Sequence, residues 1–162
     1  MVDEALEVLT GLWSGQPFSY QGTHFQVSEI ICLPRPVQQP RIPIWIGGGF
    51  PNPGPLRRAA RWDGAVLYPA AAPGSATDSE QPLTPQQVAA IGDSIGAHRA
   101  SPGAFDIVAG GPERGPDPGR TLELVRQSAQ AGATWFSEWI PPADPATMHS
   151  TIAQGPVRAD AA

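Results

Sequence analysis

Apolar residues recur along this chain with two different periods. Between residues 3 and 13, Leu6, Leu9 and Trp13 follow Asp3 and Glu4 at helical spacing, which predicts an amphipathic helix with acids in its first turn. From Gly15 to Val37 the pattern becomes short and irregular. Phe18, Tyr20, Phe25 and Val27 alternate around Gly22 and predict a small hairpin, and Leu33-Pro34-Arg35-Pro36 reads as an extended connector. After Pro40 four short apolar runs alternate with helical stretches. The runs are Ile42 to Ile46, Ala65 to Tyr68, Phe105 to Ala109 (ended by Gly110-Gly111-Pro112) and Thr134 to Ser137. The predicted helices are Leu56 to Trp62; a stretch from Thr84-Pro85 to about His98, with Gln87 at capping-box spacing; a stretch from Asp117-Pro118 to the C-cap glycine Gly132; and a stretch from Asp144-Pro145 to Gly155. Residues 69 to 83 lack periodicity and read as a loop, and the tail after Val157 reads as frayed.

Strand followed by helix, four times over, argues a parallel α/β arrangement with right-handed crossovers. Two architectures satisfy it: a doubly wound sheet, or part of a (β/α)8 barrel, which in full takes about 250 residues. The chain has 162. Its most distinctive stretch is Pro40 to Gly64, read as strand, glycine loop and helix. Gly47, Gly48 and Gly49 would leave amide N–H groups near a helix start, where an anion such as a phosphate is held. The competing reading is a tight turn that lets helix and strand pack, and GGGFPN from Gly47 does not satisfy the G-x-G-x-x-G fingerprint.

Composition narrows the function classes. Ten basic residues, all arginine, against fifteen acids give a net charge of −5, and no long basic run favours a nucleic-acid surface. The apolar runs are far below the roughly 20 residues of a membrane span, and the N-terminus lacks a signal-peptide pattern, so a cytoplasmic protein is expected. Cys32, the single cysteine, sits among Ile30, Ile31 and Leu33 and reads as a small buried hydrophobe. His24, His98 and His149 have no metal-ligand spacing, and no nucleophile motif is present. Arg57, Arg58 and Arg61 read as a solvated face or partners for Asp63, and Trp45 and Trp62 as core packing.

The pieces EALEVLTGLWSG, PFSYQGTHFQV, LPRPVQQPRIPIWIGGG, RRAARWDGAV and AGATWFSEWIPP, in that order, resemble the C-terminal half of the luciferase-like monooxygenases. Those are flavin- or F420-dependent oxidoreductases built on a (β/α)8 barrel. The resemblance covers Glu4 to about Pro156 and implies that Ile42 to Ile46 is the fifth barrel strand, with Ala65 to Tyr68, Phe105 to Ala109 and Thr134 to Glu138 as the sixth to eighth. It implies further that Gly47, Gly48, Gly49, Tyr68, Pro69 and Ala70 lie against the phosphate and ribityl arm of FMN or coenzyme F420. Glu138 and Trp139, at the end of the last strand, become candidate contacts for a small-molecule substrate, with Glu138 open equally to a general-base role and to the structural alternatives of a salt bridge or solvent exposure. No catalytic side chain is assigned, because the coenzyme carries the redox step. The wording of IPIWIGGG and RRAARWDG resembles actinobacterial members and favours F420. The family's first four strands would precede Met1. The expectation is therefore a truncated or mis-started product spanning residues 1–157 with a tail at 158–162, or a half-barrel that self-associates as a homodimer and has no activity of its own.

Overall fold

The computed structural model describes residues 1–70, 82–113, 117–140 and 142–157. Most of the expected loop at residues 69 to 83 and the tail at 158–162 lie outside the described residues. The chain divides into two compact units, Met1–Pro43 and Ile44–Ala162.

The first unit consists of α1 (Val2–Trp13) and an antiparallel hairpin of β1 (Phe18–Gln21) and β2 (Gln26–Ile30), as the periodicity predicts. α1 ends where Gly15 adopts φ +64°, a left-handed conformation that favours glycine. The ring of Phe18 seats on the bare backbone of Gly11, where a Cβ would lie about 2.0 Å from it. Two acids on α1 hold the hairpin. The Glu4 carboxylate accepts the backbone N–H groups of His24 (2.8 Å) and Phe25 (3.3 Å), and the Tyr20 hydroxyl donates to Glu7 (3.0 Å).

The His24 N–H bond, followed by that of Phe25, holds the Glu4 carboxyl below its ordinary pKa. A carboxylate with a depressed folded pKa contributes its stabilisation above the unfolded value and loses it as pH falls through the folded one. The His24 amide resonance is therefore expected to titrate with a midpoint below the ordinary glutamate range, and to lose that titration in Glu4→Gln, as an NMR pH series would show.

Cys32 is exposed, contrary to the expectation from its neighbours. Ile30, Ile31 and Leu33, at and beyond the end of β2, are also exposed. No residue of this unit is fully buried.

The second unit runs β3 (Trp45–Phe50), α2 (Pro53–Ala59), β4 (Gly64–Pro69), α3 (Pro85–His98), β5 (Asp106–Glu113), α4 (Pro118–Gln130), β6 (Trp135–Trp139) and α5 (Pro145–Ala153). The four strands form one parallel sheet in the order β3-β4-β5-β6. Every crossover between neighbouring strands carries a helix, and α2, α3 and α4 contact the sheet. The helix starts follow the sequence signals. Thr84 and Gln87 form the reciprocal capping box, and Asp117 and Asp144 each accept two backbone N–H groups at their helix starts. Gly132 (φ +102°) and Gly155 (φ +70°) follow α4 and α5.

Three boundaries differ from the sequence reading. Gly47, Gly48 and Gly49 are not a loop after the strand; they lie inside β3, paired with Val66, Leu67 and Tyr68. Ile42 and Ile44 precede the strand, and α2 begins at Pro53 and ends at Ala59 rather than spanning Leu56 to Trp62. β5 continues through Gly110-Gly111-Pro112 to Glu113, with a register shift against β6 between Gly110 and Glu113. The physical reason is common to the glycine runs. Strand neighbours supply ladder partners, and pairing overrides the low intrinsic strand preference of glycine.

Strand register assigns side chains to two faces. One face carries Ile46, Gly48, Ala65, Leu67, Ile107 and Ala109 and packs with Leu56, Ala59, Val88, Ile91, Ile95 and Val125 of the helices into the buried core. Gly48 is required there, since a Cβ would come within 2.5 Å of the Pro55 ring. The N-terminal strand ends are pinned by side chains. Asp63 Oδ2 accepts the Ile44 N–H (2.7 Å), Thr134 Oγ1 donates to Asp106 Oδ1 (2.8 Å), and the Ile107 N–H donates to Thr134 Oγ1 (3.1 Å). Arg99, just after α3, donates to the carbonyls of Trp62, Gly103 and Ala104 and stacks over Phe105 at 4.9 Å. Such ties at the N-terminal ends of parallel strands serve stability.

Candidate functional site

The opposite face of the sheet is built from alternate residues of the four strands: Trp45, Gly47 and Gly49; Gly64, Val66 and Tyr68; Asp106, Val108 and Gly110; Trp135, Ser137 and Trp139. It holds most of the large apolar exposure of this unit, with Trp45, Val66, Tyr68, Trp135 and Trp139 between 37% and 61% exposed. The expectation that Trp45 is core packing is thus corrected. Its ring lies over Gly64, whose added Cβ would fall 2.4 Å from Trp45 Cδ1, and it meets Trp135 at a centroid distance of 5.6 Å. Trp45 and Trp135 stand on the two outer strands, whose backbones would be roughly 14 Å apart in a flat sheet. The two indoles lean inward over the middle strands to meet on this face, the aromatic face of the sheet. β3 and β6 do not pair with each other, so the described residues form an open sheet.

The glycines differ in what demands them. A Cβ at Gly49 would crowd Ala70 (3.0 Å) and Asn52 Nδ2 (3.2 Å), and Gly64 is covered by Trp45. At Gly47 a Cβ would meet nothing closer than Val66 O at 3.8 Å, and at Gly110 nothing within 4 Å. Packing therefore leaves Gly47 and Gly110 unexplained, although glycine inside a strand weakens it. A close-approaching ligand is one of the standard reasons for it.

The remaining expected residues sit at or near the C-terminal strand ends. Ala70 N–H donates to Phe50 O (2.9 Å), which brings Gly49, Tyr68, Pro69 and Ala70 together. Tyr68 projects from the aromatic face and Pro69 from the other. The same alternation separates Glu138 from Trp139. Glu138 lies on the core side and accepts the Val157 N–H (3.2 Å), whereas Trp139 is exposed on the aromatic face.

One part of the anion argument changes. α2 has seven residues, and Pro53 and Pro55 in its first turn have no N–H, so this helix start offers few donors. A phosphate near β3 would depend on bare backbone at the strand end rather than on α2. Val66, Gly110, Ser137 and Trp135 were missing from the sequence-based set. The signal for them is period-two alternation, usable once β3 is started at Trp45.

Among the described side chains of this face, the ionisable ones are Tyr68 and Asp106, and Asp106 is engaged by Thr134 at the N-terminal end. The surface offers shape, backbone and aromatic rings rather than an acid–base pair. No cluster of three or more His, Cys, Asp or Glu that could hold a metal exists among the described residues. Nor is any helix among them long and apolar enough to cross a membrane.

Parallel strands with crossover helices define an α/β protein compatible with part of a barrel. The chain belongs to the luciferase-like monooxygenase family, whose model matches residues 1–114. It is similar to uncharacterized proteins of Mycobacterium bovis and of two Mycobacterium tuberculosis strains, CDC 1551 / Oshkosh and H37Rv. Each is 38% identical over 63 residues, which are 39% of this chain and 20% of the relative. The match thus spans about a fifth of the length of these curated relatives.

Proposed function

We propose that this chain forms the phosphate and ribityl side of an FMN or coenzyme F420 pocket in an oxidoreductase acting on a small organic substrate. The carrying observation is Gly47, a glycine in mid-strand on the aromatic face that no packing contact requires. Family membership supports the reading. The bound coenzyme would supply hydride or oxygen chemistry. The protein's part is to bind and orient it. Bare backbone at Gly47 and Gly49 and the strand end at Tyr68, Pro69 and Ala70 would face the phosphate arm, and Trp139 would line the substrate side. Titration with FMN and with F420, followed by cofactor fluorescence, is expected to give one saturable site per chain for one of them. A featureless titration with both would overturn the reading.

A second reading rests on the exposed Trp45, Val66, Tyr68, Trp135 and Trp139. An aromatic sheet face of this kind is an association surface, and a second copy that covers it would make the chain a self-associating half-barrel without independent activity. Sedimentation of a dimer that binds neither cofactor favours this reading. A monomer that binds one cofactor stoichiometrically excludes it.

A further inference from the structure

The parallel sheet ends in two open edges. Among the described residues no strand lies beyond β3 on one side or beyond β6 on the other. Edges of this kind are templates for pairing with another chain. All four strands run in one direction, so a two-fold axis along them sets β6 of one copy beside β3 of a second in parallel, and repeats the same seam on the far side. Four strands from each copy make eight, the number that closes a (β/α)8 barrel.

The aromatic face between those edges has the area and the charge that a second copy needs. On a scale of about 150–250 Å² for a whole aromatic side chain, the exposed parts of Trp45, Tyr68, Trp135 and Trp139, with Val66, amount to roughly 500 Å² per copy. Covering them in both copies buries roughly 1,000 Å², the lower bound for a specific interface, before the two strand seams are counted. Among the described side chains of this face the one carboxylate is Asp106, which stands at the N-terminal end and accepts the Thr134 hydroxyl (2.8 Å). Pairing also changes which residues share a site. Within one copy Gly47 and Gly49 on β3 are separated from Trp139 on β6 by two strands, roughly 14 Å in a flat sheet. Across a β3–β6 seam they stand on neighbouring strands, about 4.8 Å apart.

We infer that a second copy of this chain covers the aromatic face and brings its Trp139, across a β3–β6 seam, to the coenzyme cradle of the first, so that each coenzyme site is shared between two copies. The inference rests on the coenzyme reading above and names the partner of that site. The test is sedimentation velocity of the full chain, with fluorescence titrations of FMN and F420 over a series of protein concentrations. The expected result is a dimer that binds one of the two coenzymes once per chain, with binding and dimer lost together on dilution. Trp135 and Val66 are 56% and 38% exposed in the single chain, so Trp135→Glu and Val66→Glu should each stay folded by circular dichroism. Both variants should sediment as monomers and bind the coenzyme at least about tenfold more weakly. A wild-type monomer overturns the inference, and if that monomer binds a coenzyme the coenzyme reading stands without it. A dimer that binds neither coenzyme overturns the coenzyme reading and the shared site with it. A folded Trp135→Glu or Val66→Glu protein that remains dimeric places the contact elsewhere and also overturns the inference.

Discussion

Ile91→Ala is expected to destabilise the second unit by about 2–5 kcal/mol, the range for truncating a buried aliphatic side chain to alanine. Ile91 is fully buried in the middle of α3, with Val88 and Ile95 on the same helical face. It belongs to the layer that joins the helices to Ala65, Leu67 and Ile107 of the sheet. A urea melt of the variant should show a lower midpoint at an unchanged slope, and an unchanged midpoint would remove α3 from the core.

Two glycines on one sheet face provide the second large effect and its control. Gly64→Ala places a Cβ 2.4 Å from the Trp45 ring and 2.8 Å from the backbone carbonyl of Asp106 on the neighbouring strand. A ring can swing away, but a carbonyl in a parallel ladder cannot move without its strand. The cost should be about 1–3 kcal/mol, as for other overpacked sites. Gly47→Ala, with its nearest neighbour at 3.8 Å, should be neutral or stabilise the protein by up to about 1 kcal/mol, because alanine loses less backbone entropy than glycine. Equal losses at both positions in denaturant melts would show that Gly47 is also held by packing.

Much of the fold was legible in the residues themselves. Thr84-Pro85 with Gln87, Asp117-Pro118 and Asp144-Pro145 are local devices that act within one turn, and each begins its helix where the sequence places it. The alternation of Phe18 and Tyr20 with Val27 likewise marked the hairpin. The glycine runs were misread because their conformation is set by a partner strand far along the chain. Gly47 to Gly49 extend only because Val66 to Tyr68 lie beside them, and no local propensity reports that. Cys32 was misjudged for a related reason. Apolar neighbours indicate burial only where another element covers them, and Cys32 lies beyond the end of β2 among residues that are themselves exposed.

The site was legible in outline and not in detail. The sequence pointed to Gly47, Gly48 and Gly49 together, yet the structure gives each a different role. Gly48 makes room for Pro55, Gly49 for Ala70 and Asn52, and only Gly47 is left without a packing reason. Glu138 and Trp139 were grouped by their place at a strand end, and alternation along β6 sends them to opposite faces. The Trp45–Trp135 contact joins residues on the two outer strands and could not be read from either neighbourhood.

The central claim is that bare backbone at Gly47 is kept for a flavin-type coenzyme, and titrating the wild-type chain and Gly47→Val in parallel tests it most directly. A valine at that position fills the space above the strand while meeting no close neighbour at its Cβ. The folded variant should therefore melt with the wild type and bind FMN or F420 at least about tenfold more weakly, a loss of about 1.4 kcal/mol. An equally stable Gly47→Val protein that binds the coenzyme with wild-type affinity would contradict the account.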